Sequence, residues 1–226
     1  MKSHTQVVII GGGVVGCSVL YHLTKLGWKD VVLVERAELT SGSTWHAAGG
    51  FHTLNSDPNI AQLQGYTISL YRELEEITGQ SCGLHHVGGV TLACDQDRMD
   101  FLTTERAKHR YMGLDTHLVT PKEIAELCPV INIDGVIGGL YDPLDGHLDP
   151  SGTTQAYAKA ARQGGAEIIL RNRVVDLVRK SNDSWDVVTE QGTINCEYVV
   201  NAAGLWAREV GAMAGVYHPL HPMEHQ

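Results

Sequence analysis

Three glycines with the spacing of a pyrophosphate-binding turn lie near the start of the chain. The apolar run "VVII" at residues 7–10 is followed at once by Gly11, Gly13 and Gly16. In such a motif the first glycine permits the tight turn, the second lets backbone approach a pyrophosphate, and the third allows close helix–strand packing. The N-terminus of the following helix adds the positive end of a dipole. The spacing therefore predicts a dinucleotide-binding turn.

An acid follows at the position where dinucleotide-binding units hold a ribose. Glu35 ends a second apolar run, "DVVLVE" at residues 30–35, and lies 19 residues after Gly16. A carboxylate at this position is placed to accept hydrogen bonds from ribose hydroxyls, whereas the same residue read alone is a surface acid. The motif leaves NAD and FAD both open as the cofactor.

A stretch of small residues surrounds the one adjacent Trp–His pair of the chain. Residues 42–50 read "GSTWHAAGG". Small residues let backbone approach something large and flat. His46 supplies an imidazole, which is a good nucleophile when neutral. Without further context, His46 would be a loop histidine with satisfied hydrogen bonds.

Alternating strands and helices position these residues. The β-branched runs predict buried parallel strands, and the helical spacing between them, ending at Gly27, predicts the connecting helix. Further helices are predicted over 57–79, 95–113, 120–129 and 151–165, a strand pair over 85–94, strand and loop over 135–150, and short strands between 166 and 204. The pattern predicts an α/β nucleotide-binding domain interrupted by an insertion.

The composition excludes several classes of function. The 226 residues carry a net charge of −9 with no basic run, so we expect no nucleic-acid partner. No stretch is apolar enough to span a membrane, and the start "MKSHTQ" lacks the pattern of a secretory signal. We therefore expect no membrane contact, and a bacterial cytoplasm or, for a mature eukaryotic chain, the mitochondrial matrix.

A metal site is not expected. The five cysteines are scattered without a C-x-x-C pair, which favours small buried hydrophobes over disulfides or metal ligands. His218, His221 and His225 have a spacing that could imitate a metal site. Pro219 and Pro222 break any helix that would align the three imidazoles.

The stretch "LTSGSTWHAAGG", together with "VVNAAGLW" at 199–206 and the closing "HPMEHQ", resembles the dimethylglycine dehydrogenase and sarcosine dehydrogenase family of FAD-dependent amine oxidoreductases. The resemblance implies an α/β flavoprotein with an FAD-binding Rossmann-like domain and an inserted, partial α+β substrate domain. The implied boundaries are 1–80 and 149–215 for the FAD-binding domain, 81–148 for the insertion, and 216–226 for the start of a truncated substrate domain.

The same resemblance assigns roles to particular residues. "GSTWHAAG" is the family's flavinylation stretch, which implies that His46 holds FAD covalently. A backbone at Val174 and Val175 is implied to meet the adenine, or else is ordinary sheet core. His225 is the catalytic candidate, with a strand residue of no role as the alternative. The cofactor-binding candidates are Gly11, Gly13, Val14, Val15, Gly16, Glu35, Arg36, Gly42, Ser43, Thr44, Trp45, His46, Ala47, Ala48, Gly49, Gly50, Val174, Gly204 and Trp206.

The implied reaction is oxidation of an N-methyl amine such as dimethylglycine or sarcosine. Hydride passes from the methyl carbon to the flavin, and the substrate is demethylated. The family implies formaldehyde or a tetrahydrofolate adduct as the one-carbon product, and an electron-transfer flavoprotein or oxygen as the acceptor. Because the chain is shorter than family members and ends without a helix end or tail composition, we expect a cut within a domain and an inactive isolated fragment.

Two other hypotheses remain. A catalytically silent regulatory or interaction subunit could retain the fold, as does the regulatory subunit of pyruvate dehydrogenase phosphatase, which resembles these dehydrogenases. Such a role requires neither His46 nor the glycine motif, and both are intact. A nicotinamide-dependent dehydrogenase is the third hypothesis, and it leaves "GSTWHAAGG" without a function.

Overall fold

The structure is a computed structural model that describes residues 2–53, 55 and 57–223. His225, the catalytic candidate, lies outside the described residues and stays a prediction.

The described residues form the following elements. The strands are β1 (His4–Ile10), β2 (Val31–Val34), β3 (Gly50–Phe51), β4 (His85–His86), β5 (Gly89–Ala93), β6 (His117–Val119), β7 (Gly138–Asp142), β8 (Gly146–His147), β9 (Glu167–Ile169), β10 (Val174–Arg179), β11 (Trp185–Thr189) and β12 (Gly192–Asn201). The helices are α1 (Val14–Lys25), α2 (Pro58–Thr78), α3 (Gln96–Tyr111), α4 (Pro121–Leu127), α5 (Pro150–Gln163) and α6 (Ala207–Met213), with 3₁₀ turns at Ser43–His46 and Gly204–Trp206.

The chain divides into two compact units. The first comprises the described residues within Met1–Ala48, Glu73–Cys82 and Asp149–Gln226, and the second those within Gly49–Arg72 and Gly83–Leu148. The assignment of FAD-binding and substrate domains to the boundaries inferred from sequence stays a prediction.

A mixed sheet forms the centre of the first unit. In the described part of the chain it has six strands in the order β10-β11-β12-β1-β2-β9, with β12, β1, β2 and β9 parallel and β10–β11–β12 antiparallel. Ile10 pairs in register with Val34 on one side and with Asn201 on the other. The residues that follow these three strands therefore meet at one edge, which confirms the predicted α/β class with a Rossmann-like parallel sheet.

Strands β1 and β2 of this sheet are buried on both faces, as their continuous apolar runs predicted. Val8 and Val32 belong to a cluster that also contains Val210 of α6. Because side chains alternate along a strand, Ile9 and Leu33 project to the opposite face, and both are 0% exposed. Complete burial of such a side chain stabilises the fold by about 1.5–3 kcal/mol.

Helices α1 and α5 pack against each other and line the sheet. The Tyr21 and Tyr157 rings lie with centroids 5.7 Å apart between them. Helix α1 ends as the sequence predicted: Gly27 has φ +93°, and the Trp28 amide donates to the Leu23 carbonyl at 3.0 Å. Such an ending requires the left-handed conformation that glycine adopts without strain.

The second unit contains two small antiparallel sheets. Within the described residues their strand orders are β3-β8-β4 and β5-β7-β6, and α3 and α4 pack on β7. The strands predicted over 85–94 are present as β4 and β5, but they do not pair with each other. The chain turns between them at Gly88, which has φ +76°, and each strand joins a different sheet.

The cysteines follow the sequence expectation only in part. All five are free, and Cys17, Cys82 and Cys196 are buried. Cys94 is exposed and Cys128 partly exposed, so the expectation of burial is wrong for these two. Burial raises the pKa of the Cys17 thiol to about 12, which keeps this sulfur protonated and unreactive.

Among the helices of the described residues, none has both the length and the apolar composition needed to cross a bilayer.

Candidate functional site

A cavity of about 790 Å³ lies in the first unit, and we call it the first cavity. Residues that follow β1, β2 and β12 border it, together with α6 and the start of β10. Its walls are formed by Ile10, Gly11, Gly12, Gly13, Val14, Val15, Val34, Glu35, Arg36, Ser41, Gly42, Ser43, Thr44, Ala47, Arg173, Val174, Val175, Ala202, Ala203, Gly204, Leu205, Trp206, Glu209, Val210 and Met213.

The glycine turn between β1 and α1 is too tight for side chains. Gly11 has φ +115°, and a Cβ atom there would lie 2.3 Å from the Ala202 carbonyl oxygen. A Cβ atom on Gly16 would lie 1.9 Å from the Gly11 carbonyl oxygen. Gly16 thus lets α1 pack directly on the turn, which is the role that the motif assigns to its third glycine.

The N-terminus of α1 meets the segment that follows β2. The Val14 amide donates to the Thr44 hydroxyl at 3.0 Å, and a Cβ atom on Gly13 would approach that hydroxyl to 3.0 Å. The first amides of a helix have no partner within the helix, and the dipole makes this end positive. The arrangement gives the first cavity a wall suited to an anion.

Glu35 is buried at the edge of this cavity, with 8% of its surface exposed. Its Oε2 accepts the Gly12 amide at 2.6 Å, and its Oε1 accepts the Ala37 amide at 2.8 Å. Each carboxylate oxygen can accept a second hydrogen bond. The backbone therefore fixes the side chain and leaves acceptor capacity for hydroxyl groups of a ligand.

Arg36 and Trp206 form a stacked pair in the cavity wall. The guanidinium carbon of Arg36 lies 3.5 Å from the centroid of the Trp206 ring system. A Cβ atom on Gly42 would lie 3.7 Å from Cζ3 of the same ring, which is an ordinary van der Waals distance, so Gly42 lies directly beside the indole. A cation held over an indole face stabilises such a contact by about 0.5–2 kcal/mol.

The Trp45–His46 pair lies on an exposed 3₁₀ turn. The two rings have centroids 3.9 Å apart at an interplanar angle of 37°. Nδ1 of His46 is 3.1 Å from the Gly42 carbonyl oxygen. Because a carbonyl only accepts, Nδ1 carries the proton of the neutral ring, and the lone pair resides on Nε2. The geometry leaves Nε2 available as a nucleophile.

The structure gathers most of the cofactor-binding candidates around the first cavity. Those in its walls are Gly11, Gly13, Val14, Val15, Glu35, Arg36, Gly42, Ser43, Thr44, Ala47, Val174, Gly204 and Trp206. Of the other described candidates, Gly16 lies beneath the turn, and Trp45, His46 and Ala48 belong to the first unit without lining the cavity. Gly49 and Gly50 belong to the second unit.

Several cavity residues were not predicted from the sequence. Gly12 stands between motif glycines, and Ala202 and Ala203 precede Gly204; these small residues after apolar strands were a usable signal. The remainder carry no local signal and reach the cavity through the packing of α6 and the register of the sheet. They are Ile10, Val34, Ser41, Arg173, Leu205, Glu209, Val210 and Met213.

Among the described residues, which include His218 and His221 but not His225, no group of three potential metal ligands is found. His218 instead lies against α6, where a Cβ atom on Gly211 would be 2.5 Å from its Cδ2.

Comparison with known proteins gives consistent matches along the chain. A family model described as "FAD dependent oxidoreductase" (DAO) matches residues 6–226. Human "Dimethylglycine dehydrogenase, mitochondrial" is 44% identical over 225 residues, which cover 100% of this chain and 26% of that protein. The mouse "Pyruvate dehydrogenase phosphatase regulatory subunit, mitochondrial" is 37% identical over 227 residues, covering 100% of this chain and 26% of that protein.

A solved structure agrees over nearly the same extent. The L-proline dehydrogenase of P. horikoshii has a TM-score of 0.88 and 29% identity, and the match covers 96% of this chain and 57% of that one. The chain spans about a quarter of the length of both curated relatives named above.

Proposed function

Because this chain belongs to the FAD-dependent oxidoreductase family, we propose that it is the FAD-binding part of an enzyme that oxidises N-methyl amines of the dimethylglycine or sarcosine type. The observation that carries the proposal is the first cavity, where the glycine turn, the α1 N-terminus and Glu35 converge. Likeness to dimethylglycine dehydrogenase supports the substrate class.

The cavity residues fit FAD by chemistry as well as by family. We assign the pyrophosphate to the backbone of Gly11 and Gly13 at the positive end of α1. Glu35, fixed by two amides, would accept the ribose hydroxyls. Val174 would lie near the adenine, and the Arg36–Trp206 stack would border the cofactor. The absence of side chains at the glycines is what such a cradle requires.

We assign His46 as the covalent attachment point of the flavin. Its Nδ1 donates to the Gly42 carbonyl, which holds the ring in the tautomer with a nucleophilic Nε2. When bound, FAD supplies a two-electron acceptor for the hydride of the substrate's methyl carbon. The chain's own contribution is to bind and orient the cofactor, and His225 remains the candidate residue facing the substrate.

The remaining assignments follow from the same proposal. The substrate would be a small N-methyl amine that is demethylated, with an electron-transfer flavoprotein or oxygen as the electron acceptor. Tetrahydrofolate would bind elsewhere in a longer protein. The names of the relatives favour mitochondria as the location for a eukaryotic protein.

A silent regulatory subunit is the second candidate. The match to the pyruvate dehydrogenase phosphatase regulatory subunit covers the whole chain and favours it. The two candidates differ in flavin content and in response to amines.

The test is an anaerobic titration of the purified protein, expressed in the longest reading frame that contains this chain. We expect dimethylglycine or sarcosine to bleach the flavin absorbance, and glycine, which lacks the N-methyl group, to leave it unchanged. A flavin that no N-methyl amine reduces would contradict the substrate class, and a protein purified without flavin would support the regulatory candidate.

A further inference from the structure

Two hydrogen bonds join the segment that carries His46 to the glycine turn between β1 and α1. The Thr40 amide donates to the Gly12 carbonyl at 3.0 Å, and the Val14 amide donates to the Thr44 hydroxyl at 3.0 Å. Both bonds lie within the first unit. The proposed function assigns the pyrophosphate to the turn and the flavin to His46, and it gives no role to the bonds that connect the two.

The backbone of Gly12 is held through both of its hydrogen-bonding groups. Its amide donates to Oε2 of Glu35 at 2.6 Å, and its carbonyl accepts the Thr40 amide. A Cβ atom on Gly12 would lie 2.7 Å from Cδ2 of Leu39 and 3.0 Å from Cβ of Glu35. The glycine turn and the segment that follows β2 are therefore packed against each other with no room for a side chain between them.

The backbone of Thr40 adopts a conformation that β-branched residues rarely adopt, with φ +70°. Such a conformation persists only where the surrounding structure holds it. The hydrogen bond from the Thr40 amide to Gly12 is one contact that does so. The chain after Thr40 thus leaves the glycine turn in a fixed direction.

Thr44 lies on the 3₁₀ turn Ser43–His46, two residues before His46. Its side chain is half-buried, its hydroxyl accepts the Val14 amide, and its carbonyl accepts the Ala47 amide at 3.2 Å. Because Val14 is the first residue of α1, its amide has no carbonyl partner within the helix. The Thr44 hydroxyl satisfies this amide, and the bond fixes the 3₁₀ turn on the N-terminus of α1.

The contacts of the His46 ring itself are local. Its Nδ1 lies 3.1 Å from the Gly42 carbonyl oxygen, and its ring stacks on that of Trp45. Both rings are exposed. These contacts orient the imidazole relative to its own turn, but they do not set where the turn lies relative to α1. The hydrogen bond between Thr44 and Val14 does set this position.

We propose that Thr44 is a positioning residue for flavin attachment, because its hydroxyl holds the turn that carries His46 on the helix end assigned to the pyrophosphate. The proposal rests on the proposed function and adds to it the residue that connects cofactor binding with covalent attachment. A nucleophile held in place reacts faster than a mobile one, and a displacement of about 1 Å can slow a reaction about a hundredfold. Loss of the Thr44 hydroxyl should therefore slow attachment.

Attachment joins Nε2 of His46 to a methyl carbon on the benzene ring of the flavin. The Nε2 lone pair forms the new N–C bond, a C–H bond of the methyl group breaks, and the two electrons of that bond reduce the flavin. One proton from the methyl group and one from Nδ1 balance these electrons. The electron acceptor of the proposed function, an electron-transfer flavoprotein or oxygen, then takes up the two electrons. Thr44 exchanges no proton or electron in this step, so its effect is on position alone.

The test follows attachment in the purified protein, expressed in the longest reading frame that contains this chain and obtained without flavin from riboflavin-starved cells. FAD is added at saturating concentration in air, and flavin fluorescence that survives acid precipitation is measured over time. Thr44→Val keeps the shape of the side chain but lacks the acceptor, and its limiting rate constant should fall about tenfold to a hundredfold. Thr44→Ser keeps the hydroxyl and should restore most of the wild-type rate.

A separate titration distinguishes positioning from cofactor binding. In a His46→Ala background, in which the proposed covalent bond cannot form, Thr44→Val should weaken FAD binding by less than about tenfold. An effect confined to affinity, with a wild-type limiting rate at saturating FAD, would overturn the inference. The matched control is Thr103→Val, which removes an exposed hydroxyl of α3 that donates to the Met99 carbonyl and should change neither quantity.

Thr44→Ala is the second variant that lacks the hydroxyl, and it introduces no new side-chain atoms beside α1. Slow attachment in a folded Ala or Val variant supports the inference, and a wild-type rate in either one overturns it. If neither variant folds, Thr44 serves the fold as a whole, and the inference fails. A wild-type protein that binds FAD without attaching it, or that binds none, would instead refute the proposed function, and the inference with it.

Discussion

The Glu35 carboxylate lies 2.6 Å from the amide nitrogen of Gly12, and this hydrogen bond joins the end of β2 to the glycine turn after β1. The second carboxylate oxygen accepts the Ala37 amide, so the acid is fixed before any ligand arrives. A single side chain thereby shapes the turn and presents acceptors to the first cavity.

Replacing Glu35 by Gln tests this double role. The amide group of Gln can accept through only one atom, so one of the two buried backbone bonds is lost, at about 1–3 kcal/mol. We expect FAD affinity to fall about tenfold to a hundredfold, measured by flavin fluorescence titration in a His46→Ala background, in which the proposed covalent bond cannot form. Glu38→Gln removes an exposed acid that pairs with Arg171 and should change affinity little. Equal effects of the two variants would contradict the assignment.

The glycine turn gives a stability prediction. Gly11→Ala places a Cβ atom against the Ala202 carbonyl at a positive φ, so we expect a loss of several kcal/mol, or failure to fold. Gly65→Ala, inside α2 with no atom within 4 Å of its Cβ position, should instead stabilise by about 0.5–1 kcal/mol. Urea denaturation compares the two, and a tolerated Gly11→Ala would show that the turn relaxes.

The Arg36–Trp206 stack predicts that two substitutions of Trp206 will affect FAD affinity to different degrees. Trp206→Phe keeps an aromatic face for the guanidinium, whereas Trp206→Leu removes it. A loss of about 0.5–1 kcal/mol corresponds to a roughly twofold to fivefold weaker FAD complex for the Leu variant. Binding as tight in Trp206→Leu as in wild type would mean that the stack has no part in holding the cofactor.

His109 predicts an acid-sensitive second unit. Its side chain is 2% exposed, burial lowers its pKa below 6.5, and its Nε2 has no hydrogen-bond partner among the described residues. The unfolded chain therefore binds a proton below pH 6.5 that the folded state does not, and stability is lost as pH falls.

The matched measurement uses His109→Gln, which carries no titrating ring. The free energy of unfolding of the wild type minus that of this variant should fall from pH 7 to pH 5, because only the wild type carries the titrating ring. Other titrating groups, such as Asp145, whose pKa burial raises to about 7, contribute equally to both proteins and cancel. Gln62→Ala, which replaces an exposed residue that carries no titrating group, should show a constant difference. A constant difference for His109→Gln as well would show that the buried ring does not titrate in this range.

The sequence was most informative where local patterns carry the structure. The strand–glycine–helix–strand order predicted the tight turn between β1 and α1, where backbone sterics leave no room for a Cβ atom on Gly11 or Gly16. The helix predicted over 120–129 is likewise present as α4, because its start depends on near neighbours: Thr120 and Glu123 form a capping box.

The pairing of strands that are distant along the chain could not be predicted from local patterns. β4 and β5 follow each other closely along the chain, yet their partners lie more than 40 residues later in β8 and β7. Glu209 and Met213 reach the first cavity only through the packing of α6. The hydrogen bond from Thr53 to Asp142 could not be predicted from a local motif, because the fold brings these two distant positions together.

Flavin retention after acid denaturation tests the central claim most directly. The protein, expressed in the longest reading frame that contains this chain, is precipitated in acid and examined for flavin fluorescence that stays with the polypeptide. We predict retained flavin in wild type and in His22→Ala, and free flavin in His46→Ala. Flavin retained in His46→Ala would contradict the attachment site, and a wild-type protein without flavin would contradict the account as a whole.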